Sequence, residues 1–277
     1  MSVLDPLSHA LAALLASAHA GLTSLGADPG GGLTWVLCIA VVVVLVRIAL
    51  LPLAVHSVRQ AHAAARARPH LAALAKRYRN RKDPESMREL LRERRRIAAE
   101  HQVSRWALLP LLVQPPIWIA LYHLLNHASA GVPVGAINAA LVASLGAASL
   151  LGVPLAERGY LGAGWTHLAV VAVLAGTAAL LSFVTQRFLV APNTVLADGP
   201  ELMTRVQQAM PVLSAIGLLV AGGVVPVALL VYWVCNGTWT LGQSAVVRRW
   251  FPTPGSPAAA LKSFWRNPDI TSPDSPY

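Results

Sequence analysis

Between Arg205 and Arg248 the chain carries no Asp, Glu, Lys or Arg. A helix needs about 20 predominantly apolar residues to cross the hydrocarbon core of a bilayer, so this interval has room for two crossings, parted at the "AGGVVP" turn of residues 221–226. A second charge-free interval runs from Trp106 to Ala156. A third begins at Leu33 and is interrupted by one cation, Arg47. Only 12% of the 277 residues are charged, against about 25% in soluble domains. The predicted fold class is an all-α, polytopic membrane protein.

The placement of charge orients it. Fourteen of the 22 Lys and Arg lie between Arg59 and Arg105, beside five acids. Such clustering marks a cytoplasmic loop and draws anionic headgroups by about 1 kcal/mol per basic residue. The net charge of +10 is thus explained by anionic lipids; DNA is not an expected partner, and ribosomal RNA is the form any nucleic-acid contact would take. Five transmembrane helices are expected at about 33–53, 106–125, 165–184, 210–224 and 226–247, with the N-terminus outside and the C-terminus cytoplasmic. Residues 59–103 read as a cytoplasmic helical hairpin. Asp83 is its N-cap and Pro84 the first helical residue of the second arm. Leu71, Leu74 and Tyr78 on one arm and Leu90, Leu91 and Ile97 on the other give each a narrow apolar stripe.

Residues 134–156 are long enough to cross, but a crossing there would send Arg248 and Arg249 outside. They are read as an external, partly helical surface segment. Residues 1–32 read as an outer-surface N-terminal segment with an interfacial helix at Leu7–Gly26. Ala18-His19-Ala20 imitates a signal cleavage site without the basic region that should precede it. Residues 251–277 are Pro/Ser-rich and are expected to be a disordered cytoplasmic tail.

Catalytic signatures are missing from the sequence: it has no GxxxxGK[ST], HExxH, CxxC or GxSxG, and no carboxylate pair lies in a span. His123 and His127 are four apart but have no carboxylate beside them to complete a metal site. Ser182, Ser214 and Ser244 with His167 could form an intramembrane dyad, though nothing in their spacing favours one. The chain reads as a non-enzyme without cofactor or metal. Arg47 is the strongest local signal, because a cation in a span is costly and is kept for function or snorkels to the headgroups. It lies six residues, about 9 Å, from the expected end of the span near Pro52, within snorkelling reach. Gln114 ahead of Pro115 and Pro116, and Asn236, Thr238, Thr240 and Gln243 in the fifth span, would line a hydrated cavity with it if those spans face the first. Interhelical hydrogen bonding is the other use such residues have.

The order of "VRIALLPL", a charged hairpin, "LPLLVQPPIWIALYHLL", "VAPNT" and "VPVALLVYWVCNGTWTLGQ" over residues 33–250 resembles the YidC-type membrane protein insertase family. The resemblance implies a five-helix insertase core with a groove open to the cytoplasm and lipid and closed to the outside. Arg47 would sit at its centre, with Gln114, Gln186, Tyr232 and Trp233 as groove or substrate-contacting positions. It implies ATP-independent insertion and folding of nascent membrane proteins in the bacterial inner membrane, with the Sec translocon and the ribosome as candidate partners. A small-solute transporter or channel and a non-insertase assembly factor are the competing classes. The family's phenylalanine, glycine and asparagine in the fifth span align with Val225, Ala228 and Gly237.

Overall fold

The computed structural model describes residues 5–79, 83–104, 109–162, 164–194 and 201–266. The chain forms two compact units. The first combines Met1–Leu50, Leu111–Thr185 and Ala209–Gly242; the second combines Leu51–Pro110, Gln186–Gln208 and Gln243–Tyr277.

The first unit is helical. It contains α1 (Asp5–Ser24), α2 (Gly32–Ala49), most of α5 (Leu109–Ser129), α6 (Ala139–Ala147), α7 (Gly164–Val184), the later part of α8 (Glu201–Gly222) and most of α9 (Val227–Trp250). Among the described residues, two stretches are long and apolar enough to cross a membrane, Gly32–Ala49 and Gly164–Asn193. α2 and α5 each bury one stripe at helical spacing. On α2 it is Trp35, Cys38, Ile39, Val42 and Val43; on α5, Ala120, Leu121, Leu124, Leu125 and Ala128. On α7 the stripe is mostly small beyond Val171, with Ala175, Ala178 and Ala179. A Cβ on Gly222 of α8 would come within 2.9 Å of Ala175 Cβ, so this pair of helices closes through small residues as membrane helices do. The first two turns of α9, Val227 to Trp233, are buried all round. Outward faces such as Val44, Leu45 and Ile48 on α2 and Val212, Leu213 and Ile216 on α8 are exposed and apolar, a pattern suited to lipid.

Loops pack against the helix starts at one end of this unit. α6 has nine residues, about 14 Å, too short to cross. After it β1 (Ser149–Leu150) pairs antiparallel with β2 (Val153–Pro154). Both hairpin residues, Leu151 at φ 53° and Gly152 at φ 82°, take the left-handed conformation of a tight two-residue turn. Residues 134–156 therefore form a short helix and a hairpin, as the expected partly helical segment requires. The carbonyls of Leu155 and Glu157 accept the N–H groups of Ala228 and Val227 at 2.9 Å each, giving partners to donors that an α-helix leaves unpaired at its start. His167, 2% exposed, is clamped between the Gly159 carbonyl at 2.7 Å and a Glu157 carboxylate oxygen at 2.6 Å. Gly162 lies so close to this imidazole that a Cβ there would overlap the ring.

α1 packs on α2, placing Leu11, Ala12 and Leu15 in the core. The described residues of this segment, 5–32, are part of the first unit. Trp35 Nε1 donates to Ser144 Oγ at 3.1 Å, and Ser144 Oγ donates to the Pro29 carbonyl at 2.6 Å, tying the α1–α2 connection to α6. Val225 and Ala228 are buried at 5% and 0%, and a Cβ on Gly237 would lie 3.3 Å from Leu181 Cβ. The expected start of the second span, Trp106, lies outside the described residues.

Two expectations are corrected. α2 ends at Ala49 and α3 (Leu51–Arg77) begins after Leu50, so the first apolar helix does not run on to residue 53. Pro52 lacks an N–H and its ring would strike the Ile48 carbonyl of a continuing helix, whereas the first turn of a new helix accepts it. The tail is not wholly disordered either, since residues 257–266 form α10 (Pro257–Arg266). Ser256 caps it, its Oγ accepting from Ala259 N at 3.2 Å, and Pro257 opens it. The rest of the tail, 267–277, lies outside the described residues.

The second unit also contains α3 and α4 (Pro84–Glu100), which pack together. Asp83 caps α4 by accepting from Ser86 N at 2.8 Å. Leu74 and Tyr78 are buried at 6% and 5%, and His70 stacks on His101 at 4.8 Å; Leu91, 52% exposed, stays outside the packing. Beyond α7 the chain runs through a π-helical turn, Thr185–Val190, and a short 3₁₀ turn, Ala191–Asn193. Asn193 Oδ1 accepts from Thr253 N at 2.8 Å.

Candidate functional site

Arg47 is in the last turn of α2, two residues before its end. Residues 39 and 43 of that helix are buried, and position 47 follows them by one further turn, so its side chain leaves the inward face rather than the exposed Val44/Ile48 face. On α9, Tyr232, Asn236 and Thr240 follow one another at intervals of four and share a face. Arg47 Nη2 donates to Asn236 Oδ1 at 2.7 Å and to Thr240 Oγ1 at 3.0 Å, and Nε donates to Asn236 Oδ1 at 3.2 Å. Thr240 Oγ1 donates its own hydrogen to the Asn236 carbonyl at 2.8 Å, which turns its lone pairs toward the guanidinium.

The cation is therefore held by neutral oxygens. Among the described residues no carboxylate pairs with it, and its Nη1 amino group has no hydrogen-bond partner. Three donors are used to fix the plane of the group, and two remain for an incoming acceptor. The side chain is half-buried, neither sealed in the core nor fully exposed. Fifteen residues of helix separate it from Gly32, about 22 Å from the loop-covered end where Gly32 meets the Ser149 backbone. A charge at that depth, uncompensated and oriented, attracts an anion. At about 4 Å and an effective dielectric near 20 the attraction is on the order of 4 kcal/mol, against about 1 in bulk water.

The other expected site residues are spread out. Gln114 is exposed on α5, next to the two prolines that this helix accommodates, and has no hydrogen bond to Arg47. Tyr232 and Trp233 lie in the hydrophobic core at 6% and 8% exposure. Gln186 is half-buried in the π-helical turn of the second unit. Of the wider polar set, Asn236 and Thr240 reach the guanidinium, whereas exposed Thr238 bonds back to the Val234 carbonyl at 2.9 Å. Ser182 shares a hydrogen bond of 3.2 Å with Ser214, and fifteen residues of α7, about 22 Å, separate it from His167, so these groups form no dyad. His127 Nδ1 donates to the His123 carbonyl at 2.7 Å, and among the described residues no group of three or more His, Cys, Asp or Glu could hold a metal ion. Both cysteines are free.

Comparison with known proteins bears on this arrangement. Residues 28–254 match the model of the family described as 60Kd inner membrane protein. The chain is 34% identical over 249 residues to a protein of Streptomyces avermitilis named membrane protein insertase YidC, a match covering 85% of this chain and 55% of that one. Proteins of the same name from Bifidobacterium longum and Tropheryma whipplei are 24% and 26% identical, each over 94% of this chain and over 79% and 88% of their own lengths. The chain thus spans little more than half of the Streptomyces protein and most of the other two. It belongs to the 60Kd inner membrane protein family, the family of the YidC membrane protein insertases.

Proposed function

We propose that this chain is a membrane protein insertase and folding chaperone of the inner membrane, working without ATP through a hydrophilic inner-leaflet groove centred on Arg47. α2, α5, α7, α8 and α9 cross the membrane with the N-terminus outside, and the basic α3–α4 hairpin is cytoplasmic. The polar outer segment of a nascent membrane protein enters the groove, and its acidic side chains meet the free Nη1 donors in charge-assisted contacts. Gln114, Gln186, Tyr232 and Trp233 are proposed substrate contacts. Release follows as the client's apolar helix partitions into lipid, at about 25 cal/mol per Å² of apolar surface removed from water. The membrane potential assists export of negative charge by about 2.3 kcal/mol per charge per 100 mV. The part of α8 that belongs to the first unit, from Ala209 to Gly222, is about 21 Å long and would thin the bilayer beside the groove.

The observation that carries this reading is a guanidinium fixed by two neutral side chains with an amino group left over. A cation serving only to hold helices together would more often be found with a carboxylate, which would cancel its field. The test is insertion of a single-span client with an acidic outer tail into cells depleted of their own insertase. Arg47→Ala is expected to lower insertion at least tenfold, and Arg47→Lys to restore part of it, since charge survives but the planar fork does not. Equal insertion by all three proteins would remove the capture step.

A further inference from the structure

The second unit contains a cleft of about 820 Å³ that the insertion mechanism does not use. Its lining includes three cations, Arg248, Arg249 and Lys262, and the apolar side chains Leu189, Ala258 and Leu261. Among the described residues no carboxylate lines it and none of the three cations is in an ion pair. Arg248 Nη1 donates to the Phe188 carbonyl at 2.5 Å and Lys262 Nζ to the Trp250 carbonyl at 3.1 Å. These neutral acceptors place the cations without discharging them. Arg249 is exposed and makes no hydrogen bond among the described residues.

The surroundings identify the occupant. The cations follow directly on the charge-free stretch of α9, and the adjoining Trp250 and Phe251 are 60% and 56% exposed, the aromatic pattern of a membrane–water boundary. A small inorganic anion would use the cations and leave the apolar lining empty. A polynucleotide would have no use for Leu189 and Leu261. A molecule with a phosphate head and a hydrocarbon tail uses both, and the volume lies in the range of small-molecule sites.

We infer that this cleft is a binding site for one anionic glycerophospholipid of the inner leaflet, its headgroup phosphate on Arg248, Arg249 and Lys262 and the start of an acyl chain against Leu189, Ala258 and Leu261. The inference rests on the proposed reading in which the C-terminal end of α9 meets the inner membrane surface. The bound lipid joins the end of α9 to α10, so that both are held at the headgroup level.

The test is native mass spectrometry of the full chain in detergent, titrated with phosphatidylglycerol or with phosphatidylcholine of the same acyl chains. One phosphatidylglycerol is expected to bind in strong preference to phosphatidylcholine. Each cation near an anionic group is worth about a factor of five, so Arg249→Gln with Lys262→Gln should weaken that binding roughly thirtyfold. Leu261→Ser, at an exposed position, should weaken it while leaving the fold and the cations intact. Inorganic phosphate should not displace the lipid. Equal binding of the two lipids, no effect of the double variant, displacement by inorganic phosphate, or displacement by a ribosomal RNA fragment would each overturn the inference. Arg47→Ala should bind lipid as the wild type does, so a failed insertion assay and a failed lipid titration are separate results.

Discussion

Removing Asn236 tests whether the contact between α2 and α9 is one coupled unit. Asn236→Ala deletes the acceptor of two of the three hydrogen bonds to Arg47, the 2.7 Å bond from Nη2 and the 3.2 Å bond from Nε. Hydrogen bonds to a charged group contribute about 1.5–3 kcal/mol in soluble proteins. Neutral interhelical bonds measured within membranes average only about 0.6 and reach about 1.7 kcal/mol, because the unfolded helices find other partners in the bilayer. A charged donor with two bonds to one oxygen belongs at the upper end of the membrane range, so the expected coupling between positions 47 and 236 is about 1.5 kcal/mol, near tenfold in an equilibrium constant. The assay is a double-mutant cycle of wild type, Arg47→Ala, Asn236→Ala and the double variant, unfolded reversibly in mixed micelles. Asn236→Ala should cost clearly more in the wild type than in the Arg47→Ala background. Equal costs in the two backgrounds would show that these bonds contribute nothing to fixing the guanidinium, and the claim of a preorganised cation would fall.

Asn236→Asp should act in the opposite sense on the two readouts: a carboxylate at this position pairs with Arg47, so thermal stability is kept or rises while insertion of an acidic-tailed client falls at least tenfold. Gly162→Ala should destabilise the first unit by about 1–3 kcal/mol, seen as a lowered Tm, because the methyl would drive His167 off the Gly159 carbonyl and Glu157. Asp83→Ala should cost α4 about 1 kcal/mol, seen as faster amide exchange over its first turn, with insertion little changed if the hairpin still closes.

What the sequence made legible is what depends on local chemistry. The α4 start was readable because an Asp-Pro pair meets both requirements of a helix N-terminus, and the structure shows the cap. Charge placement argues against a span over residues 134–156, and the one helix there, α6, has nine residues, too few to cross. Arg47 stood out because a cation in an apolar run is costly, but its partners, 189 and 193 residues away, could be named only as members of a polar set. Which of Asn236, Thr238 and Thr240 reaches it depends on the rotation of α9, and a uniformly apolar helix start such as Val227–Trp233 gives no amphipathic signal from which to read that rotation. The Glu157–His167–Gly159 clamp joins a loop to a helix with no periodic pattern to mark it. The break at Leu50 is hard to place from sequence because a proline suits a helix end and a helix start alike, and Pro52 lies in the first turn of α3. α10 was hidden by a Pro/Ser-rich composition, although Ser256-Pro257 ahead of three alanines is a helix-start signal of the kind recognised at Asp83.

The central claim is that the guanidinium of Arg47 is wet and reachable from the cytoplasmic side alone. Single cysteines at positions 43, 47 and 236, in a chain with Cys38 and Cys235 replaced by serine, can be exposed to a membrane-impermeant thiol reagent in right-side-out and inverted vesicles. The account predicts rapid modification at 47 and 236 in inverted vesicles, none in right-side-out vesicles, and little at 43 from either side, since Val43 is 4% exposed. Modification at 47 from the outer face, or protection of 47 and 236 from both, would contradict it.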